Sequence, residues 1–507
     1  MDFQAPDINY AGISPIIALT AGLVLTLIAG LFGSRKQQRI VVSIVGLGTL
    51  AATAGLLIAQ WGAHKNLVAG ALRLDDLAIA TSLIAIGAAA FCIPLSWREE
   101  AFDRPLGPSG HGEFQALLIC SVLGMTMITQ AQNLIAFFVA LELLSIPLYV
   151  LCGSAIRRQE SLESGLKYLI IGSLGSATLL YGLAFVYGAT GSTDFSGIRA
   201  ATGSSVLDDP LLLIGIALSA TGLAFKLSIA PFHQWTPDVY EGAPTPVTAF
   251  MSVATKAAVF CVLVRFFDVA LGPAAGDWQP ALAALATVSI VVGNVGALGQ
   301  NSLKRLLGYS SIAQAGYMMV AVVAFSVSGV SALVFYLAAY ALMNLAAFGV
   351  IVIRERETPY GDDIRSVEGL GRERPGLAVA MTVGMLALAG LPGTAGFIGK
   401  LYLIEATVEA DYTWLGVMIA VGTMISLAYY LRVIAAIWMR AERAPAAVPV
   451  MAGGSQEADE ATTGANCKAI LGLTFLAAAA TVFFGIIPSP LVDWATTAGE
   501  AIGSLLS

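Results

Sequence analysis

The sequence predicts an all-α polytopic membrane protein, a fold class indicated by its composition, by the length of its apolar runs and by the placement of its basic residues. Hydrophobic residues fill 57% of the 507 positions and charged residues only 12%, against roughly 25% charged in soluble domains. The apolar residues are gathered into runs that reach the about 20 residues needed to cross a bilayer. We therefore expect a single membrane domain over residues 1–507.

About fourteen runs are candidate membrane spans, of which the fourth is short and the twelfth is long for one crossing. Numbered in chain order, they centre on 13–33, 41–61, 77–95, 114–129, 134–152, 166–187, 211–230, 247–269, 281–299, 306–326, 330–353, 377–408, 414–439 and 469–487.

Basic residues fall almost entirely on one side of these spans. Only Lys65, Arg73 and Arg199 follow even-numbered spans. Those that follow odd-numbered spans are Arg35, Lys36, Arg39, Arg98, Arg104, Arg157, Arg158, Lys304, Arg305, Arg354, Arg356, Arg365, Arg372, Arg374, Arg440, Arg443 and Lys468. Because Lys and Arg are enriched in cytoplasmic connections, we expect the odd connections to be cytoplasmic and both termini to face outward. The Ala-, Gly- and Glu-rich connection 441–468 is predicted to be a mobile cytoplasmic loop.

Span seven combines a buried charge with a helix breaker. Lys226 lies in an apolar run, and Pro231 follows it in KLSIAP. Proline has no N–H to donate and its ring clashes with the preceding turn, so the helix should break between residues 227 and 231. Inside a membrane, a break beside an ionisable residue is tolerated only where it faces protein or water, and it indicates a path for ions or protons.

Span twelve repeats this combination in AGLPGTAGFIGK, where Gly390, Pro392 and Gly393 interrupt the helix and Lys400 follows. The two interrupted spans are five spans apart. Because five is odd, they cross the membrane in opposite directions, as in an inverted repeat whose broken helices hold the ion site. We expect the first repeat (spans four to eight) at 114–269 and the second (spans nine to thirteen) at 281–439.

Two further ionisable residues lie near the middle of their spans, Glu142 in span five and Lys256 in span eight. A charge at the bilayer centre costs ~2.5 to 3.5 kcal/mol, so Glu142, Lys226, Lys256 and Lys400 together cost about 10 kcal/mol before pairing. Buried ion pairs that only fix helix register are one explanation. Three lysines and one acid cannot all be neutralised in pairs, however, which favours proton carriers.

For four other ionisable residues, the sequence allows either two interpretations (Lys167 and His233) or one (Arg265 and Arg432). Lys167 follows Glu163 by one turn and forms either an ordinary surface pair or part of the path. His233, in the PFHQW turn after the break, either relays protons or caps freed carbonyls. Arg265 and Arg432 lie near the ends of their spans, and we expect both to extend toward water.

The sequence contains no cofactor motif. Its five cysteines are scattered without a CxxC spacing, its three histidines are far apart, and no phosphate-binding glycine loop follows a strand pattern. No basic patch indicates nucleic acid. We expect no cofactor or metal on this chain.

Four stretches resemble subunit N of proton-pumping NADH-quinone oxidoreductase, respiratory complex I. They are FKLSIAPFHQWTPDVYEGAPTPV (225–247), VATKAAVF (253–260), KRLLGYSSIAQAGY (304–317) and GLPGTAGFIGKLYL (390–403). The resemblance covers nearly the whole chain and implies fourteen helices with helices seven and twelve broken.

The resemblance also implies roles for single residues. Glu142 would form a switchable ion pair with Lys226, Lys256 would be the central proton carrier, and Lys400 would connect to the outward exit. Lys167 matches a helix-six lysine of the family. The chain would perform no redox chemistry itself, because FMN, iron-sulfur clusters and quinone would be held by partner subunits of the membrane and peripheral arms.

Three alternatives remain beside this interpretation. The chain could belong to a multi-chain sodium/proton antiporter, to the equivalent complex that reduces plastoquinone or uses another donor, or to a spacer that does not translocate. The three N-terminal spans that some animal mitochondrial members lack are present, which favours a bacterial source and a bacterial inner (plasma) membrane location. The sequence does not specify the quinone, the electron donor or the number of protons moved.

Overall fold

A computed structural model describes residues 8–32, 34–97, 110–440 and 466–503. Twelve helices in this part are long and apolar enough to cross a membrane, and two shorter apolar helices, Ser14–Ala29 and Pro375–Ala389, occupy the other two predicted positions. The prediction of about fourteen spans is confirmed. Most of the predicted loop 441–468 lies outside the described residues.

We number the crossings α1 to α14, with α7 and α12 each divided in two. The helices are α1 (Ser14–Ala29), α2 (Arg35–Ile58), α3 (Asp76–Leu95), α4 (His111–Gln130), α5 (Leu134–Cys152), α6 (Gln159–Thr190), α7a (Pro210–Leu227), α7b (Trp235–Gly242), α8 (Thr245–Val264), α9 (Ala275–Leu298), α10 (Leu303–Val323), α11 (Val327–Glu357), α12a (Pro375–Ala389), α12b (Ala395–Glu409), α13 (Thr413–Met439) and α14 (Asn466–Ile486). Short helices cover Phe195–Ala201, Leu370–Glu373 and Ser489–Glu500, and a two-stranded antiparallel hairpin pairs β1 (Lys65–Leu67) with β2 (Leu72–Leu74).

The helix starts follow local sequence chemistry. The side chain of Asn133 accepts the N–H of Ala136 at the start of α5, and Ser302 accepts the N–H of Arg305 at the start of α10. These bonds satisfy backbone donors that the first turn of a helix leaves free. Such caps fix where each span begins.

The two breaks use different residues to turn the chain. Ser228 ends α7a with φ +62, and its hydroxyl accepts a hydrogen bond from Thr236 at 2.6 Å. Gly390 ends α12a with φ +77, and Gly393 follows with φ +86. Glycine adopts this left-handed region at little cost, whereas serine there needs support from its neighbours.

The core is formed by the helices that are buried on all sides. Every residue of α8 is buried, and α10 and α11 are nearly so. By contrast, α2, α6, α13 and α14 leave much of their apolar surface exposed. Helices that are apolar all round belong either inside a protein or in lipid, so the outer helices form the membrane-facing shell and the three inner ones form the core against which the broken helices pack.

Equivalent contacts relate the two five-helix halves. In the first half, Lys226 on α7a lies 5.1 Å from the ring centroid of Tyr149 on α5. In the second half, Lys400 on α12b lies 5.0 Å from the ring centroid of Tyr317 on α10. Helices α5 and α10 are the second members of their halves, and α7 and α12 are the fourth, as the inverted repeat predicts.

A second pair of contacts gives the same correspondence. Arg265, which follows α8, donates through Nε to the carbonyl of Thr129 near the end of α4, at 2.7 Å. Arg432 on α13 donates through Nη1 to the carbonyl of Leu298 at the end of α9, at 3.0 Å. In each half the fifth helix thus caps the first.

The expectation that Arg265 extends toward water is wrong. Its side chain is 0% exposed and forms an ion pair with Asp75 at the start of α3, with Nη2 and Oδ1 2.5 Å apart. A carboxylate from a distant helix neutralises the guanidinium, so burial is possible. Arg432, in contrast, is only partly buried, in line with the expectation.

The two faces of the bundle are distinguished by their connections. We call the hairpin face the one that carries β1, β2 and the helix Ser489–Glu500, which are brought together by stacking of Trp61 on Trp494 at 6.1 Å. The opposite face carries Lys304, Arg305 and Arg354, and we call it the basic face.

Candidate proton-transfer site

The first break places Lys226 against α5. The amine is 5% exposed and donates to the hydroxyls of Ser145 at 2.7 Å and Tyr149 at 2.9 Å. Both acceptors are neutral, so the charge of a protonated Lys226 is solvated but not cancelled. Proton loss therefore does not require an ion pair to be broken first.

Glu142 lies one turn before Ser145 on the same helix but forms no ion pair with Lys226 within 4.0 Å. Its Oε1 is buried without a hydrogen-bond partner among the described residues. Because Lys226 binds the hydroxyl of Ser145, the carboxyl group of Glu142 lies about one helical turn from the ammonium. The structure thus places the two predicted partners close together and in a separated arrangement.

Lys256 joins the first break to the second half of the protein. Its side chain is 2% exposed, and Nζ donates to the carbonyl of Ser311 on α10 at 2.9 Å and to that of Leu227 at 3.3 Å. The Leu227 carbonyl lies where the broken helix leaves acceptors without partners. The central lysine therefore contacts both the break and α10.

Lys400 occupies the comparable position at the second break. Its amine is buried and donates to the carbonyl of Leu388 at 3.1 Å. The same carbonyl accepts from Nε2 of Gln314 at 3.2 Å. Each break thus presents a carbonyl to a buried lysine.

A chain of neutral polar groups runs along α10 between the two breaks. Ser310 and Tyr430 have their hydroxyls 2.5 Å apart, and the amide of Gln314 donates to Tyr430 at 3.5 Å. Tyr336 donates to the oxygen of Gln314. The backbone carbonyl of Ser311, the residue after Ser310, binds Lys256. Gln314 shares the Leu388 carbonyl with Lys400, so these polar groups lie between the two lysines.

Sequence reasoning missed this neutral chain. The signal was available as the polar run YSSIAQAGY (309–317) inside an otherwise apolar span. Only ionisable residues were predicted to take part in proton transfer, whereas hydroxyl and amide groups can also line a proton path.

Lys167 belongs to an ion network at the basic face. Its amine lies 2.7 Å from Glu163 and 2.8 Å from Asp238, and Arg305 binds the other oxygen of Asp238 at 2.6 Å. The i,i+4 contact expected from the sequence is present, and it is extended to α7b and α10. Lys167 is 39% exposed, so it lies at the rim of the site and not in the buried chain.

Lys304 differs from its sequence-based description, and His233 does not reach the buried lysines. His233 is half-buried between α7a and α7b, and no hydrogen bond joins its ring to Lys226 or Lys256. Lys304, assigned to a connection by sequence, is 1% exposed and lies 3.6 Å from Glu355. It adds a buried lysine at the basic face.

Fold, breaks and buried lysines together define an antiporter-like membrane subunit. A family profile described as "NADH:quinone oxidoreductase/Mrp antiporter, TM" matches residues 131–426. Within the described part of the chain, no group of three or more His, Cys, Asp or Glu residues is arranged to hold a metal ion.

Comparison with individual proteins identifies the family within this class of membrane subunits. NADH-quinone oxidoreductase subunit N 1 of Herpetosiphon aurantiacus is 39% identical, over 90% of this chain and 92% of that protein. Subunit N of Trichlorobacter lovleyi is 37% identical over 99% and 98%. The chain belongs to the NADH-quinone oxidoreductase subunit N family.

Solved structures share the fold. A chain of respiratory complex I from Thermus thermophilus with bound aureothin has a TM-score of 0.77 and 33% identity, over 94% of this chain and 98% of that one. A chain of the Mrp complex from Dietzia sp. has a TM-score of 0.82 at 19% identity, over 99% and 100%. The second match supports the fold alone.

Proposed function

We propose that this chain is the proton-translocating subunit N of an NADH-quinone oxidoreductase. The observation that supports this most is a set of three buried lysines, each bound to neutral oxygens, the first of which lies near a carboxylate without a hydrogen-bond partner. A pump needs groups whose charge can change in place, and permanent ion pairs would resist that change.

In this mechanism, Glu142 controls the charge of Lys226. Attraction between the carboxylate and the ammonium favours the protonated lysine. Moving the carboxylate away, or neutralising it, weakens that attraction and releases the proton from Nζ of Lys226 toward Lys256. The reverse movement reloads Lys226 from the basic face, near Lys167.

The second half of the path uses the neutral chain on α10. A proton that leaves Nζ of Lys256 reaches Lys400 through internal water, which the polar groups on and around α10, including Ser310, Tyr430 and Gln314, hold in place by hydrogen bonds. Each water molecule accepts one proton and donates another, so no net charge remains on it. Lys400 then releases the proton on the outward side.

The redox chemistry belongs to other chains. FMN, iron-sulfur clusters and quinone would be held by partner subunits of the membrane and peripheral arms, and their reaction would shift Glu142 through the membrane arm. That coupling is a free energy shared between distant sites. We place the chain in a bacterial plasma membrane, with both termini and the hairpin face outward. The repeats extend over 114–269 and 281–439.

A second candidate is a subunit of a multi-chain sodium/proton antiporter, because the family profile covers both NADH:quinone oxidoreductases and the Mrp antiporter. It predicts sodium-dependent proton movement in vesicles without NADH. A plastoquinone-reducing or other-donor complex would use the same chain chemistry with different partners.

Two experiments test the proposal. The tagged native chain, purified in mild detergent, should bring with it FMN, iron-sulfur absorbance and inhibitor-sensitive NADH-quinone reductase activity. In vesicles, Lys226→Ala and Lys256→Ala should assemble and lose proton pumping, whereas the exposed Lys468→Ala should not. Normal proton-to-electron stoichiometry in both buried-lysine variants would rule the mechanism out.

A further inference from the structure

A second set of buried ionisable groups lies at the hairpin-face end of α8, away from Lys226, Lys256 and Lys400. The helix continues there as a π-helical turn, Arg265–Ala270, in which Arg265 and Asp268 are both 0% exposed. Such turns are rare and often occur at functional sites. None of these groups has a part in the mechanism above.

The ion pair in this set leaves Asp268 out. Arg265 binds Oδ1 of Asp75 through Nη2 and the carbonyl of Thr129 through Nε. Arg73 lies 3.4 Å from the other oxygen of Asp75. Asp75 therefore accounts for the arginines at this end of α3, and Asp268 receives no cation from them.

Asp268 is a buried carboxyl group whose two oxygens have no hydrogen-bond partner among the described residues. An ionised carboxylate in that condition costs several kcal/mol. Gln130, next to Thr129, likewise has both amide atoms buried and unpartnered, and so does Nη1 of Arg265. Unpartnered buried polar groups require an explanation, and internal water bound to several of them is the explanation that their chemistry favours.

The architecture of the repeat does not require this acid. Arg432, the counterpart of Arg265, is followed three residues later by Ala435, where Arg265 is followed by Asp268. The second half folds without a carboxyl group at that place. A structural reason common to both halves is therefore absent.

We propose that Asp268 is a proton-binding site in a hydrated pocket between α3, α4 and α8, which gives Lys256 a second exit to the hairpin face beside the one through Lys400. This inference rests on the proposed function, namely that protons cross this chain. Asp268 follows Lys256 by twelve residues on the same helix, or about 18 Å along its axis. Internal water would carry the proton between them.

The chemistry is a simple protonation. Hydrated proton and carboxylate give the neutral carboxylic acid and water, and release reverses this, so one O–H bond forms and one breaks. Arg265 stays paired with Asp75 throughout, and Arg199 holds the carbonyl of Val269 at 3.2 Å. These fixed cations keep the turn in place while Asp268 changes charge.

Infrared difference spectroscopy of the purified complex tests the site directly. Wild type minus Asp268→Asn should show the C=O band of a protonated carboxyl group, and the band should shift after exchange into D2O. Absence of the band would mean a permanently ionised residue, and a band that does not shift would mean a dry cavity. Either result overturns the proposal. Exposed Asp493→Asn is the control and should give no such band.

Pumping assays separate this inference from the proposed function. Removal of a positioned proton-transfer group slows the step by roughly 100-fold or more, so Asp268→Asn should slow proton release while Asp268→Glu restores it. If Lys256→Ala abolishes pumping and Asp268→Asn does not, only the exit through Asp268 is wrong. If neither variant affects pumping, the proposed function fails as well.

Discussion

The two halves of this protein share a backbone plan and differ in charge. Glu142 is the ninth residue of α5, and the ninth residue of α10 is Ser311. Both halves set a lysine over a tyrosine ring beside a broken helix. The first half adds a carboxylate, Glu142, and a second lysine, Lys256, beside its break. The other buried lysine of the second half, Lys304, lies near Glu355 at the basic face.

This difference indicates a division of labour. A free carboxylate beside a lysine can respond to an external charge, so the first half can start a proton movement. The neutral chain of the second half has no fixed charge to move, so it can only transmit one. The following predictions, ordered from the largest expected effect to the smallest, test that division.

The largest expected difference between the halves is the loss of stability when the arginines that cap α4 and α9 are replaced. Arg265→Met leaves Asp75 buried without its partner, a change that costs about 3–5 kcal/mol. Arg432→Met removes a partly exposed group and should cost about 1 kcal/mol. Both losses of stability are measured by heating the purified complex and recording the temperature at which this subunit is released. Equal losses of stability would contradict the assignment of Arg265 to a buried ion pair.

Replacing Glu142 by Gln removes the carboxylate near Lys226, so that the broken-helix lysine of the first half, like Lys400, is surrounded by neutral groups. Loss of about 1.4 kcal/mol of attraction to Lys226 corresponds to a tenfold lower proton affinity of that lysine, and we expect coupled turnover to fall by up to about tenfold. Assembly should be unchanged, because Glu142 makes no ion pair. Glu142→Asp is the matched control and should retain most activity. A fully coupled Gln variant would show that the carboxylate has no control function.

Gln314→Leu interrupts the neutral chain of the second half. It removes the partner of Tyr336 and one of the two donors to the Leu388 carbonyl, and an unpaired buried polar group costs about 1–3 kcal/mol. We expect several-fold slower pumping with the proton-to-electron ratio maintained at low rates. Gln314→Glu instead introduces a carboxylate near Lys400 and should slow release from that lysine. Unchanged rates in both variants would exclude Gln314 from the path.

Lys167→Met should have the smallest effect. The side chain is 39% exposed and its ion pairs are partly screened by water, so its contribution is about 0.2–1 kcal/mol. Pumping should fall less than fivefold, and the difference from wild type should shrink as salt is raised. A loss comparable to that of Lys256→Ala would place Lys167 within the obligatory path.

The apolar pattern and the helix breakers were sufficient to predict the fold. Twenty-residue runs, Pro231 and the glycines near 390 determine where helices cross and where they break, and these are local properties. Lys226, Lys256 and Lys400 were found because a charge in an apolar run is conspicuous. The partners of those lysines were not predictable, since Ser145, Ser311 and the Leu388 carbonyl are recruited by packing between distant helices.

Arg265 shows the same limit, in this case through a prediction that was wrong. Its position near the end of a span suggested contact with water, because the sequence gives no sign that Asp75, 190 residues earlier, reaches it. Long-range neutralisation depends on helix packing. Local hydropathy cannot reveal it.

The hydrogen bonds of the two central lysines have one more consequence. Lys226 and Lys256 each donate two hydrogen bonds to neutral oxygens. An ammonium carries three N–H groups and a neutral amine carries two. Each lysine can therefore lose a proton and keep both anchoring bonds, with its lone pair left facing the third direction. The amine stays in position in either state, so its surroundings need little rearrangement when a proton arrives or leaves.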